Sequence, residues 1–351
     1  MKAGILEAAG GGSPSRDMLR LTVVDIRDET HDVKTFVFRP DGGVPAYIAG
    51  QSMTLKLELA GEALFRTFSL ASAPDGSDTI AMTIKAHAKG RVTRWLHDRL
   101  KAGAQLDAHS PRGRFTIDSR RTDRLALVSA GSGASPLMAM LRHLATTEPG
   151  IDIHWLHAAR TPRDVLFGRE LAALQAKMPR LRVSILVSRP EPGWFGFGGR
   201  LGRRLVSVAV PDFARREVFC CGPAGFMDET RLVHAAEGGG RELFHIEHFA
   251  SGAPPSPPAV PADAPAQGYA VRFGDKQFTA QPGETLLQAA TRQTIVIPCG
   301  CASGMCGTCR VSLVSGAVDM QHDGGISPEE EAQGYILACS SRPKSDVAIA
   351  L

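Results

Sequence analysis

Hydrophobic and polar positions change their rhythm twice along this chain. From residue 18 to residue 117, short apolar–polar alternations are separated by turn residues, which is typical of antiparallel strands. The clearest runs are LTVVDI, TFVFRP, MTLKLEL and TIAMTIKA. The pattern predicts an antiparallel β-barrel over residues 18–119.

From Leu125 onwards, strand-like runs alternate with helical ones. LALVSA, IDIHWLHAA, RVSILVS and EVFCCG have the character of strands, and LMAMLRHLA, LFGRELAALQAKM and GFMDETRLVHAA have helical spacing. Such alternation is typical of a parallel sheet covered by helices. The sequence therefore predicts an α/β domain over residues 120–249.

A second change occurs at residues 250–267, where Pro, Ala and Ser crowd together in ASGAPPSPPAVPADAPAQ. This composition favours an extended linker over a helix or a central strand. After it, AVRFGDKQFTA and ETLLQAATRQ precede a cluster of cysteines, which predicts a small third domain over residues 268–351. Residues 1–17 are rich in Gly, Ala and Ser, and we expect them to form a flexible N-terminus.

Composition narrows the classes of function. Hydrophobic residues make up 43% and charged residues 22% of the 351 residues, and the net charge is only +4. Without a long basic run, a nucleic-acid partner is not expected. No stretch approaches the ~20 apolar residues of a membrane span, and no signal peptide is recognisable. With an odd count of seven cysteines, the sequence predicts a cytoplasmic protein without a disulfide framework.

The cysteine spacing predicts an iron–sulfur cluster. Cys301, Cys306 and Cys309 follow C-x4-C-x2-C, and Cys339 stands thirty residues further on. Four thiolates, two for each iron, suit a [2Fe–2S] cluster, and this uneven spacing is the plant-type ferredoxin arrangement. Structural zinc usually takes its cysteines as two C-x2-C pairs, and this chain lacks the second pair, so the spacing favours the cluster over the alternative of a zinc site. Cys299 lies outside the ligand spacing, and we interpret it as a free thiol.

Three groups of motifs carry a family resemblance. Pro298–Cys309, with Leu337–Ser341, resembles the C-terminal ferredoxin domain of oxygenase reductases. Arg66-Thr-Phe-Ser69 and the later Gly131-x-Gly133-x-x-Pro136 resemble motifs of the ferredoxin–NADP⁺ reductase superfamily. They occur in the order of that superfamily. The resemblance implies a multidomain fold, with an antiparallel flavin barrel, an α/β parallel-sheet nucleotide domain and a β-grasp ferredoxin domain.

The resemblance also implies a flavin site on the barrel. In the family the motif's Arg, here Arg66, pairs with the flavin phosphate, its aromatic residue lies on the flavin, and its hydroxyl bonds near flavin N5. The segment Gly90–Thr93 resembles a turn that opens a helix and meets the pyrophosphate of FAD, so FAD is expected and FMN is the alternative. The residues expected at the flavin are Arg66, Thr67, Phe68, Ser69, Gly90, Arg91, Val92 and Thr93.

A nicotinamide site is implied in the same way. Cys221-Gly-Pro223 resembles a motif whose Cys lies beside nicotinamide C4 and flavin N5, and Glu247-x-Phe249 resembles the family's closing motif, with its aromatic residue against the flavin. Ser188-Arg189 occurs where relatives hold the 2′-phosphate of NADP(H), but the Lys and Tyr that accompany it there are missing, so NADH is expected and NADPH is the alternative. The expected nucleotide residues are Gly131, Gly133, Pro136, Ser188, Arg189, Cys221, Gly222, Pro223 and Phe249, and the expected catalytic residues are Ser69, Cys221 and Glu247.

Together these motifs imply an NAD(P)H-dependent reductase that passes electrons through flavin and the [2Fe–2S] cluster, which accepts them singly. The expected partner is a separate Rieske-type terminal oxygenase, as in reductases of betaine- or carnitine-type monooxygenases. A di-iron monooxygenase or a hybrid-cluster protein is the alternative partner. An alternative of another class is a non-catalytic zinc-binding module on a flavin fold.

Overall fold

The computed structural model describes residues 18–249, 268–293, 295 and 297–350. The N-terminus predicted to be flexible, residues 1–17, and the predicted Pro-rich linker, residues 250–267, lie outside these described residues. Among the described residues, no helix is long and apolar enough to cross a membrane.

The first part is an antiparallel six-stranded sheet closed by one helix, as predicted. Its elements are β1 (Met18–Thr30), β2 (Val33–Pro40), β3 (Ser52–Leu59), β4 (Glu62–Ser69), β5 (Ile80–Lys85), α1 (Arg91–Arg99) and β6 (Gln105–His109), with the sheet order β4-β3-β6-β1-β2-β5. Ala60 and Gly61 form a two-residue turn between β3 and β4, with φ of 54° and 78°. Positive φ at both positions gives the turn a twist that matches that of the two strands. This turn fixes Leu59 opposite Glu62 and so sets the register of the β4 motif.

The second part is the predicted parallel sheet covered by helices. Its strands are β7 (Arg124–Ala130), β8 (Asp152–Ala159), β9 (Leu181–Val187), β10 (Phe197–Gly198), β11 (Glu217–Cys221) and β12 (Phe244–Glu247), and its helices are α2 (Ala134–Thr147), α3 (Gly168–Lys177), α4 (Arg203–Ala209) and α5 (Ala224–Ala236). All neighbouring strands pair in parallel in the order β10-β9-β8-β7-β11-β12. The strand order reverses at β7, beside β11, and ligands of such sheets bind at this kind of switch point.

The third part is a small mixed sheet with the β-grasp arrangement. Its elements are β13 (Tyr269–Phe273), β14 (Lys276–Ala280), α6 (Leu286–Arg292), β15 (Arg310–Ser315), β16 (Val318–Met320), α7 (Pro328–Ala332), β17 (Tyr335–Leu337), β18 (Ser341–Pro343) and β19 (Val347–Ala350). The main sheet has the order β14-β13-β19-β15-β17, and β16 pairs with β18. The cysteine-rich segment follows α6 and precedes β15.

The hydrophobic cores are divided unevenly among the three parts. The barrel has a core of its own, but Val33, Ala49, Phe115 and Ile117 of the first part pack into the core formed by α2, α3 and the parallel sheet. The core of the third part contains residues of that part alone. The barrel and the α/β part are therefore joined through apolar packing.

Candidate flavin, nucleotide and iron–sulfur sites

The β4 motif lies on an edge strand of the barrel. Arg66 pairs across the sheet with Leu55, and its guanidinium donates to the carbonyl oxygen of Phe65 at 2.7 Å. Phe68 packs against the barrel core. The hydroxyl of Ser69 is buried and has no hydrogen-bond partner among the described residues. A buried hydroxyl without a partner is costly, so Ser69 fits a site where a bound group supplies the missing hydrogen bond, as FAD is expected to do.

The helix start at Gly90 has its own geometry. Gly90 is the N-cap of α1, and a Cβ at this position would lie 2.3 Å from Thr93 Oγ1. That hydroxyl accepts a hydrogen bond from the backbone N–H of His87 at 3.2 Å, so its own proton remains for an acceptor such as a phosphate. Arg91 instead reaches the β3–β4 hairpin, where it pairs with Glu62 at 2.8 Å, and Val92 is buried in the barrel core.

The two glycine-bearing nucleotide motifs meet at the switch point of the parallel sheet. Ser129 pairs with Cys221 in register, and a Cβ on Gly133 would lie 2.2 Å from the carbonyl oxygen of Cys221 and 2.8 Å from the nitrogen of Gly222. Only glycine allows this approach. Around Gly131, by contrast, no atom lies within 4 Å of a Cβ position, which leaves open space for a ligand beside the turn. Pro136 lies buried in the first turn of α2.

Cys221 and Glu247 form a buried pair at the ends of adjacent strands. They stand opposite each other in the β11–β12 register, and both are buried. Burial raises the pKa of the Cys221 thiol well above its usual value, and the nearby Glu247 adds to the effect. Burial also raises the pKa of Glu247 to about 8, with a further contribution from Asp323. At neutral pH the pair is therefore mostly protonated, and Glu247 titrates within the range useful for proton transfer.

The remaining predicted nucleotide residues lie around this pair and at the end of β9. Pro223 is the N-cap of α5. Ser188 donates a hydrogen bond from its hydroxyl to the carbonyl oxygen of Arg160 at 3.4 Å, and Arg189 follows it on the exposed loop. Phe249 lies two residues beyond the end of β12 and leaves 43% of its surface exposed, so its ring is available for contact with a bound group.

The four predicted cluster ligands form two hydrogen-bonded pairs of thiols, Cys301 with Cys306 and Cys309 with Cys339. Hydrogen bonding to Cys301 lowers the pKa of the Cys306 thiol well below its usual value, and hydrogen bonding to Cys309 lowers that of Cys339. Two thiols for each of two irons is the ligand set of a [2Fe–2S] cluster. The structure also brings Cys299 close to Cys309, where their hydrogen bond raises the pKa of Cys309.

Backbone N–H groups converge on these sulfurs. The donors are the amides of Cys301, Ser303, Gly304, Met305, Cys306 and Cys339, at 3.2–3.4 Å from sulfur. Gly304 and Gly307 have φ of 75° and 71°, a conformation in which the loop can turn its amides inward. Hydrogen bonds of this kind stabilise thiolates and tune a cluster's potential. The residues present therefore fit an iron–sulfur cluster.

The cluster-binding loop, residues 300–307, lies against the strand that carries the flavin motif. A Cβ on Gly300 would lie 2.9 Å from Thr67 Oγ1 and 3.0 Å from Thr54 Cγ2. These two threonine hydroxyls are joined by a hydrogen bond of 2.8 Å between β3 and β4. The cluster ligands and the flavin motif are thus direct neighbours, which suits the passage of electrons from one to the other.

Three family models match successive parts of the chain. An oxidoreductase FAD-binding domain matches residues 20–117, an oxidoreductase NAD-binding domain matches residues 127–232, and a 2Fe-2S iron-sulfur cluster binding domain matches residues 272–344. The predictions of FAD, a nicotinamide coenzyme and a [2Fe–2S] cluster are confirmed at this level. The cysteine site accordingly belongs to a cluster domain rather than to a zinc module.

Relatives match over nearly the whole length. The chain is 38% identical over 347 residues to the glycine betaine monooxygenase reductase subunit of Chromohalobacter salexigens, covering 93% of each chain. It is 34% identical over 329 residues to a stachydrine N-demethylase reductase subunit of Rhizobium meliloti, covering 92% of this chain and 93% of that one. The solved phthalate dioxygenase reductase shares the fold, with a TM-score of 0.59 at 22% identity over 95% of this chain and 98% of that chain.

Those matches, together with the contact between the cluster-binding loop and the flavin-motif strand, confirm the resemblance. This chain belongs to the ferredoxin–NADP⁺ reductase superfamily, as an oxidoreductase with the FAD-, NAD- and [2Fe–2S]-binding domains of oxygenase reductase components.

Proposed function

We propose that this protein supplies electrons from NADH to a Rieske-type terminal oxygenase that hydroxylates or demethylates a small quaternary ammonium compound. The observation that carries the proposal is the contact of the cluster-binding loop with the flavin-motif strand at Gly300 and Thr67. Two full-length relatives named for glycine betaine and stachydrine support the class of final substrate. The domains that we propose are residues 18–119, 120–249 and 268–351, with 250–267 as linker.

Each part of the chain has a defined task in this proposal. FAD, when bound, supplies the exchange between a two-electron donor and one-electron acceptors. Arg66 and the start of α1 bind its phosphates, and Ser69 uses its buried hydroxyl to orient the ring. Gly131, Gly133 and Pro136 hold the coenzyme phosphates, and Cys221 with Glu247 excludes water and holds protons beside the reacting atoms. Cys301, Cys306, Cys309 and Cys339 hold the cluster.

The choice of NADH over NADPH belongs to the proposal as well. A 2′-phosphate needs cations that are not already engaged, but Arg160 pairs with Asp32 at 3.5 Å and Arg163 with Glu191 at 3.9 Å. We therefore expect kcat/KM with ferricyanide to be higher for NADH, because Arg189 is the only one of these three arginines without an ion pair among the described residues, and the 2′-phosphate would also meet the carboxylate of Glu191. Steady-state kinetics with both coenzymes measure it. A preference for NADPH would contradict this part of the proposal.

The partner is tested by single-turnover transfer. The protein is reduced with NADH without oxygen and mixed with a purified Rieske-type oxygenase or, in parallel, with the hydroxylase of a di-iron monooxygenase. We expect the Rieske centre to be reduced rapidly and the di-iron protein slowly. The reverse order would support the di-iron alternative, and failure of NADH to reduce the flavin would overturn the proposed function altogether.

We also propose a cytoplasmic location. All seven cysteines lie in the described residues and none of them forms a disulfide, which agrees with a reducing compartment.

A further inference from the structure

A second contact between the first and third parts lies beside the cluster-binding loop. It is formed by the barrel segment that follows β6, in which Arg112 donates from both terminal nitrogens to the carboxylate of Glu330, at 3.1 and 3.2 Å. The pair is partly buried, with side-chain exposures of 31% for Arg112 and 18% for Glu330. A bidentate arginine–carboxylate pair fixes direction as well as distance.

The carboxylate of Glu330 is already oriented by its own domain. It accepts a hydrogen bond from the backbone N–H of Ser327 at 2.9 Å, in the capping box that begins α7. It also pairs with Arg310 on β15. Because the acceptor is held in place before Arg112 arrives, little side-chain freedom is lost when the two parts meet.

The residues that flank Arg112 contact the cluster side of the third part. The backbone N–H of Arg114 donates to the carbonyl oxygen of Asp323 at 3.2 Å. A Cβ on Gly113 would lie 3.5 Å from Met305 Cγ, and one on Gly307 would lie 3.1 Å from Arg112 Cδ. Arg112 therefore crosses the surface of the cluster-binding loop to reach Glu330, so the ion pair clamps this loop against the barrel.

We propose that Arg112 is a positioning residue for electron transfer from the flavin domain to the cluster. Its ion pair with Glu330 holds the cluster-binding loop on the strand that bears Thr67, where Gly300 allows the close approach. The inference rests on the proposed function, since it assumes that flavin and cluster exchange electrons. Sequence alone indicates only a turn at residues 110–115, because the partner of Arg112 lies 218 residues away.

The test is a stopped-flow experiment in which NADH reduces the holoenzyme in the absence of oxygen. It resolves two phases, the reduction of the flavin and the reduction of the cluster. In Arg112→Ala we expect the phase of cluster reduction to slow roughly tenfold, the equivalent of ~1.4 kcal/mol of docking free energy. The phase of flavin reduction is expected to be unchanged, because the nucleotide motifs lie elsewhere. Arg112→Lys should recover part of the rate, since a point charge restores attraction but not the bidentate geometry.

A matched control and a salt series complete the kinetic test. Arg39→Ala removes another arginine of the same barrel, paired with Asp78 at 2.9 Å, and should leave both phases unchanged. Raising the ionic strength should slow cluster reduction in the wild type and have little effect in Arg112→Ala. Because Glu330 keeps Arg310 and Ser327 as partners, the third domain of the variant is expected to stay folded.

Small-angle X-ray scattering tests the docking contact without enzyme turnover, because it measures the radius of gyration of the intact chain. This radius should increase in Arg112→Ala and in the wild type at high salt. An unchanged cluster phase and an unchanged radius would overturn the inference, as would equal slowing of both phases. If NADH failed to reduce the flavin in the wild type, the proposed function would fail instead, and the scattering comparison would still test the docking contact.

Discussion

At the scale of single residues, the burial of Glu247 predicts that the stability of the folded protein depends on pH. Burial raises its pKa from about 4.5 to about 8, so between these values the folded protein holds a proton that the unfolded chain has released. The contribution of protonated Glu247 to the free energy of unfolding is therefore fully present below pH ~4.5 and is lost as the pH rises through 8.

We therefore expect Glu247→Gln, whose amide does not ionise, to gain in Tm over the wild type as the pH rises from about 5 to about 8, and the gain to level off above that. Thermal unfolding across this range measures the difference. Parallel curves for the two proteins would show that Glu247 does not titrate in this window.

The neighbouring cysteines Cys299 and Cys306 differ in their expected roles and provide a matched pair of variants. Cys306→Ser should lose most of its iron and acid-labile sulfide, because it removes one of the four thiolates, while flavin reduction by NADH continues. Cys299→Ser should keep two irons, because Cys299 contacts Cys309 but is not one of the four predicted ligands. Iron and sulfide quantitation decides between them, and loss of iron in Cys299→Ser would mean that the ligand set includes Cys299.

At the scale of elements, the turn between β7 and α2 depends on one close contact. In Gly133→Ala the new methyl group would meet the carbonyl oxygen of Cys221 at 2.2 Å, and backbone cannot yield as a flexible side chain does. We expect the free energy of unfolding to fall by about 1–3 kcal/mol and the KM for NADH to rise, because the two nucleotide motifs are pushed apart.

The control for this variant is Gly150→Ala, in the loop between α2 and β8. No atom lies within 4 Å of a Cβ at Gly150, so this variant should match the wild type in both stability and KM. Chemical denaturation and steady-state kinetics give the two values. An unchanged Gly133→Ala would show that the turn and β11 are less tightly apposed than the geometry implies.

The elements themselves were largely predictable from the sequence, because in long segments such as β8 and α2 the spacing of apolar residues distinguishes a strand from a helix. The boundaries of the elements were harder to predict. Helix α3 begins at Gly168, two residues inside the predicted run, because Phe167 has a φ of 57° and cannot belong to the helix. The two-residue strand β10 and the short helix α4 were not predicted, since neither is long enough to establish a period. The pairing of Arg112 with Glu330 could not be predicted, because no local pattern records a contact between distant segments.

At the scale of the whole molecule, the unequal sharing of cores has a consequence for how the protein comes apart. The first two parts are joined through apolar residues of the barrel, namely Val33, Ala49, Phe115 and Ile117. The third part has a core of its own and meets the barrel through the contact of Gly300 with Thr67 and through the Arg112–Glu330 pair. Apolar packing couples the melting of its members, and a polar contact couples it weakly. We therefore expect two cooperative units rather than three or one.

The chain carries its own reporters for the two units. The three tryptophans, Trp95, Trp155 and Trp194, all lie in the first two parts, and the visible absorbance of the cluster reports on the third. On heating, fluorescence should show a single transition, displaced from the bleaching of the cluster. Superimposed curves would mean that the polar contact binds all three parts into one unit. If the third part unfolds first, the heated protein still oxidises NADH but no longer has the cluster that passes electrons on. Its electrons then go to dioxygen instead of the oxygenase.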